Sequence, residues 1–289
     1  VTTLAVDLGG TQMRAALVEA DGTVVAREVR PTPARDPEPH GFLALLRDVA
    51  AQGAPTRAVI GIPGRVDHAA GRLDHAPNLP ASWTPFLTEQ ALGEALGLPV
   101  ALANDADLAA VGEARFGAGQ GHPDLVYVTL STGVGAGVLL GGRLLRGRRS
   151  GVEAGHTVID LAAFQRGEPS TFEQLASGTA LGRRARQAGL DLPAPDVVRR
   201  GTSGDAVARG VLADVALAAA VGVRNLCFLY SPSRVVLGGG LGLSGDWLYG
   251  PIRDHLARSG PPAMAIDVVP AALGDQAALV GAAGWAEAS

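Results

Sequence analysis

Apolar and polar positions alternate along this chain in two distinct periods. Short runs of strand length fall at 3–7, 14–19, 24–30, 58–63 (AVIGIP) and 100–105 (VALAND). More follow around a turn at 126–140, then near 234–238 and at 266–270 (IDVVP). Between them lie longer stretches with helical spacing: 41–51, TPFLTEQALGEALG ending at Gly97, about 106–116, near 171–188, near 204–230, and from about 274 onward. Gly97 suits a helix C-terminus, and Asp21-Gly22 suits a hairpin turn. VDHAAGRLDHAPNLP reads as a loop or hairpin, and PTPARDPEPH (31–40) as a surface loop. Strands alternating with helices predict an α/β architecture.

The pattern then starts over. LAVDLGGTQMRAALV (4–18) and VYVTLSTGVGAGVLL (126–140) share the order strand, Gly/Thr turn, strand, and each leads to a hairpin, at Asp21-Gly22 and at Gly141-Gly142. At this constant offset Thr129 stands where Asp7 stands. Agreement of four features in order predicts a duplicated unit and two similar lobes. The expected lobes are 1–116, joined by a C-terminal helix at 274–289, and 117–273.

Composition narrows the function. The 289 residues are 47% hydrophobic but only 4% aromatic, so the core is built from Ala, Val and Leu. The net charge of −4 lacks the basic footprint of a nucleic-acid binder. All 24 basic residues are arginine, which excludes the lysine-dependent P-loop and the protein-kinase signature. The single cysteine, Cys227 in NLCFLY, can form neither an internal disulfide nor a Cys-rich zinc site and reads as a buried thiol. The apolar stretch VALAAAVGV (215–223) is too short to span a membrane, and no signal-like segment precedes the first strand. The expectation is a cytoplasmic protein with no membrane and no nucleic-acid partner.

Four glycine-rich turns, DLGGT, GIPG, STGVGAG and LGGGLG, each follow an apolar strand. Glycine lets backbone approach a ligand, and successive N–H groups form anion nests. Two of the four fall at matching places in the repeat, which favours phosphate binding over ordinary turns. Asp7 beside such a nest would repel phosphate unless a cation such as Mg²⁺ intervened; its other reading is a turn cap. Asn104-Asp105 ends a strand and opens a helix, so it is either an N-cap or a general base with a substrate-holding neighbour. Glu153 and His156 can both bond sugar hydroxyls or can sit on a surface turn.

These motifs together resemble the ROK family of sugar kinases (repressors, open reading frames and kinases), in particular its bacterial glucokinases. The resemblance covers nearly the whole chain: DLGGT (7–11), GIPG (61–64), APNLP (76–80), ND (104–105), STGVGAG (131–137), EAGH (153–156), FEQLASG (172–178), LGGGL (237–241) and GDQAALVGAA (274–283). It implies an actin-like, hexokinase-type (ribonuclease H-like) duplicated α/β fold with two lobes around a cleft, and ATP-dependent phosphorylation of a hexose at its 6-hydroxyl. It implies Asp105 as catalytic base, and Asn78, Asn104, Glu153, His156 and Glu173 as sugar ligands, with backbone help near Gly64. Asp7 would hold Mg²⁺ through water. Gly9, Gly10, Thr11 and Gln12 would form one phosphate loop, Thr132 and Gly133 the other, and Gly239 and Gly240 would lie against the adenosine. Family habit implies a homodimer or homotetramer.

The chain departs from the family in three places. Most members carry a C-x-C-G-x-x-G-C-x-E zinc motif where this one reads TVIDLAAFQRGEPSTFE (157–173), so no structural zinc is expected. Packing by Leu161, Phe164 and Phe172 is expected to order that loop instead. Ser131 replaces a glycine, and Gln12 stands where lysine is common. Alternatives are a kinase for N-acetylmannosamine, fructose or another hexose, polyphosphate as donor, and a non-catalytic sugar-sensing regulator. The family's repressors carry a helix-turn-helix ahead of the first strand; here that strand starts at residue 3, and with Asp105 present the expectation favours catalysis.

Overall fold

A computed structural model describes residues 1–289 apart from Ala34, Pro77 of the APNLP motif, Ser150, Gly151, 260–265 and Ser289. The first half builds β1 (Thr3–Leu8), β2 (Gln12–Val18), β3 (Val24–Pro31), α1 (His40–Ala50), β4 (Arg57–Ile62), the hairpin β5 (Arg65–Asp67) and β6 (Arg72–His75), α2 (Glu89–Leu96), β7 (Val100–Asn104) and α3 (Asp105–Phe116). The second half builds β8 (Leu125–Leu130), β9 (Val134–Leu140), β10 (Arg143–Leu144), α4 (Leu161–Gln165), α5 (Phe172–Ala176), α6 (Gly178–Gln187), α7 (Ala194–Thr202) and α8 (Ala206–Tyr230). It continues through β11 (Arg234–Gly238), α9 (Gly239–Gly242), α10 (Asp246–Ser259), β12 (Asp267–Pro270), α11 (Ala277–Ala283) and α12 (Trp285–Ala288).

The duplication holds in three dimensions. One five-stranded sheet has the order β3-β2-β1-β4-β7 and the other β10-β9-β8-β11-β12. In each, the first two neighbouring pairs are antiparallel and the last two parallel. The central strands β1 and β8 share one burial pattern, interrupted only at Asp7 and Thr129. Such continuous apolar runs belong to strands covered on both faces. The registers differ by one, however. Leu8 pairs with Met13, whereas Leu130 pairs with Val134, so the second turn is one residue shorter than the constant sequence offset implies.

Three apolar clusters organise the layers. α1 and α2 cover the outer face of the first sheet, and α5, α6, α7, α8 and α10 cover that of the second. α3 and α11 lie between the sheets, sharing a core with Ala5, Val59, Tyr127, Leu139 and Val236. This is a two-lobed, actin-like α/β fold. The α3–α11 contact is close enough to need glycine: a Cβ on Gly281 would strike the Leu108 carbonyl, and one on Gly112 the Ala277 carbonyl. Gly281→Val is therefore expected to destabilise the protein by at least about 3 kcal/mol, read as a lowered unfolding midpoint in denaturant.

The helices expected near 171–188 are α5 and α6, parted at Ser177, which is extended (ψ 167°) and caps α6 by accepting from Ala180 N–H. Several other sequence expectations are corrected. The closing helix starts at Ala277 after a 3-10 turn, and α11 gives way to α12 at Gly284. Of the three side chains expected to order 157–173, only Phe172 is buried, while Leu161 and Phe164 are 67% and 58% exposed. Backbone bonds order the segment instead: Ile159 N–H to Ser170 O (2.9 Å) and Phe172 N–H to Thr157 O (2.9 Å), with Asp160 capping α4. α8 is long and apolar enough to cross a membrane, but one face, including Val215, Ala219, Val223 and Cys227, is buried in the second lobe's core.

Candidate active site

Asp105 occupies the first residue of α3, where β7 ends beside β4. Asn104 caps that helix: its Oδ1 accepts from Ala106 N–H (2.9 Å) and Asp107 N–H (3.2 Å), and its Nδ2 donates to Gly64 O (2.8 Å). The N-cap reading thus holds for Asn104, and the cap fixes Asp105 in the helix's first turn, within electrostatic reach of Asp7 and Glu153. Asp105 Oδ1 accepts from Ala106 N–H at 2.9 Å. Burial, reinforced by the negative charges of Asp7 and Glu153, pushes its carboxyl up to about 7. A carboxyl poised there exchanges protons near neutrality, as a general base must.

Asp7 lies on β1, and burial raises its pKa against the opposing pull of Arg14. Arg14 Nη1 donates to Asp7 Oδ2 at 2.9 Å across the β1–β2 pair, where the two residues face each other. Sequence reading missed Arg14, although pairing β1 with β2 back from the Gly9-Gly10 turn would have placed it opposite Asp7. Asp7 Oδ1 has no partner within the chain among the described residues. This donor set fits hydrated Mg²⁺, which is commonly held by one or two carboxylates plus phosphates and keeps several waters. Among the described residues no group of three or more His, Cys, Asp or Glu side chains converges to hold a metal.

The two glycine loops are built alike. Gly9 N–H closes one on Gln12 O, and Ser131 N–H closes the other on Gly133 O, both at 2.9 Å. The amides of Gly10 and Thr11, and those of Thr132 and Gly133, make no hydrogen bond within the chain among the described residues. Four unspent donors at two turn tips suit phosphate oxygens. Gln12 opens β2 with an exposed side chain.

Asn78 packs against the first loop, so close that a Cβ on Gly10 would meet its backbone and side chain. Gly64 sits at φ +130° against the carbonyl of His75, tying the end of β4 to the β5–β6 hairpin that leads to Asn78. Glu153 and His156 lie together at the second lobe's side, His156 Nε2 to Glu153 Oε2 3.5 Å, with His156 largely exposed and Glu153 less than half so. Glu173 reaches the second loop: its Oε2 accepts from Val134 N–H at 2.9 Å and lies against Gly133.

A cavity of about 620 Å³ opens beside the second loop, lined by Ser131, Thr132, Gly240 and Leu241 with Ala194, Pro195 and Val198 of α7. Sequence reading did not foresee the α7 wall. Gly240 faces this cavity, whereas Gly239 (φ +79°) turns toward Leu130 O and Thr129 of β8. Cys227 is buried in the core, and burial pushes its thiol up to about 12, away from nucleophilic use.

A family model described as the ROK family matches residues 3–289. The glucokinase of Streptomyces coelicolor is 33% identical over 97% of this chain and 96% of its own length. The bifunctional enzyme NanE/NanK of Brucella melitensis is 36% identical over 97% of this chain, which spans 53% of that longer protein. A solved ROK family glucokinase from Streptomyces griseus, in complex with glucose and AMPPNP, matches with a TM-score of 0.81 and 32% identity, 99% of each chain being covered. With the match running from the first strand to the last residue, the chain belongs to the ROK family.

Proposed function

We propose that this protein is an ATP-dependent hexose kinase that transfers the γ-phosphoryl group to the 6-hydroxyl of a hexose, glucose first among the candidates. The observation that carries the reading is the placement of Asp105, a carboxyl with its pKa raised to about 7, near Asp7 of the first lobe and Glu153 of the second. Its lobes are 1–116 with 274–289, and 117–273.

In this reading Asp105 accepts the proton as the hydroxyl oxygen attacks the γ-phosphorus. Asn78, Asn104, Glu153, His156 and Glu173 orient the sugar, Asn104 with the one Nδ2 hydrogen that Gly64 does not take. The free amides of Gly10, Thr11, Thr132 and Gly133 hold phosphate oxygens from opposite lobes, which supplies positioning and charge stabilisation. Mg²⁺, held through water by Asp7, would neutralise charge on the phosphates. The apolar wall of Ala194, Pro195, Val198 and Leu241 suits a nucleoside and favours ATP over polyphosphate. The same assay separates glucose from N-acetylmannosamine as the preferred acceptor.

A coupled assay across glucose, mannose, fructose and N-acetylmannosamine, each with Mg·ATP and with polyphosphate, tests the reading. The expected result is hexose-dependent ADP release, fastest with glucose. Release of ADP that is independent of every sugar, or no turnover, contradicts it.

A further inference from the structure

Glu113, in the second half of α3, is fully buried, and among the described residues it makes no ion pair. Its carboxylate accepts three backbone N–H groups instead. Ala118 N–H (2.8 Å) and Ala272 N–H (3.0 Å) donate to Oε2, and Leu273 N–H (2.8 Å) donates to Oε1. These donors belong to the two segments that cross between the lobes. The first, 117–124, runs from α3 to β8, and the second, 271–276, runs from β12 back to α11. Ala118 is gripped from the other side as well: Arg234 Nη1, on β11 of the second sheet, donates to its carbonyl at 2.6 Å.

One buried side chain therefore ties both crossings together. Leaving any of its donors unpaired in that setting is costly. Any rotation of one lobe on the other must bend the chain at both crossings, so their common tether lies at the axis. Hinges of this kind are a few loop residues that absorb the φ/ψ change. The tether also sits on the helix whose first residue is Asp105.

We propose that Glu113 is the pivot of lobe closure, a positioning residue that couples both interlobe crossings to the helix carrying the base. The tether stands on geometry alone; its effect on turnover rests on the kinase reading. Hydrogen–deuterium exchange of the unliganded protein tests the tether. Glu113→Met keeps the length but removes both acceptor oxygens, so all three N–H groups lose their partner. Exchange in peptides spanning 117–119 and 271–273 is expected to rise together, at least tenfold, with β1 and β4 unchanged. A rise in one crossing only, or a uniform rise across both lobes, overturns the proposal. If the methionine variant does not fold, Glu113→Asp, charged but shorter, is read by the same criteria. In turnover, Glu113→Met is expected to lower kcat about tenfold with both KM values within threefold and the pH profile unshifted. Unchanged kcat with loosened crossings would overturn the closure role. Wild-type protein inactive on every hexose would instead count against the kinase reading, and the exchange comparison would still decide the tether.

Discussion

Replacing Asp105 by asparagine is expected to cut turnover by about 10²–10⁴-fold, the usual worth of a positioned general base, while stabilising the protein at pH 8. The two effects have one cause. Burial and the charges of Asp7 and Glu153 raise the carboxyl from 3.8 to about 7, so its ionisation is disfavoured in the folded state. A group raised in this way contributes most to stability when protonated in both states, below about pH 4, and that contribution is lost as the pH climbs through 7. At pH 8 the wild type carries the full penalty, on the order of 2–4 kcal/mol at roughly 1.4 kcal/mol per pKa unit. Asparagine has no charge to bury and can still accept the Ala106 N–H through its Oδ1. Denaturant titrations of both proteins should show the variant's advantage at pH 8 shrinking as the pH falls and gone near pH 4. A variant less stable than wild type at pH 8 would mean that the carboxylate is held by interactions stronger than its burial.

The second large effect is expected at Gly240. A Cβ there meets nothing within 4 Å, so a larger residue fits the backbone and projects into the cavity of about 620 Å³. Gly240→Leu is expected to raise the nucleotide KM at least 100-fold, leaving the hexose dissociation constant within twofold and the unfolding midpoint unchanged. Equilibrium titrations with nucleotide and hexose separate these outcomes. The same substitution at Gly239 would drive a side chain into the β8 backbone and test packing instead. Nucleotide binding unaffected by Gly240→Leu would move the donor site out of this cavity.

Much of the architecture is legible in the sequence because its signals are local. Apolar runs ending in Asp7, Asn104 and Gly238 mark strand ends, and the duplicated strand–turn–strand unit predicts the matching sheets. Gly97, with φ +68°, closes α2 as expected. What stays hidden depends on partners far along the chain. Glu113 looks like any helix glutamate until residues 272 and 273 return to it. The wall formed by Ala194, Pro195 and Val198 carries no motif, and its role appears only once α7 stands beside the second glycine loop. The position of the break at Ser177 shows only in tertiary context: Gly178 N–H donates to Ser131 O at 2.7 Å, so the kink docks α6 onto that loop. The ordering of 157–173 was misread for a similar reason, since its hydrogen-bonded ladder leaves Leu161 and Phe164 facing outward.

The pH dependence of kcat/KM for the preferred hexose, at saturating Mg·ATP, tests the central claim most directly. A base with its carboxyl at about 7 must be ionised to act. The account predicts an acid limb of unit slope breaking near pH 7 in the wild type, and no such limb in the residual activity of Asp105→Asn. A break near pH 4, or the same limb persisting in the variant, would contradict it.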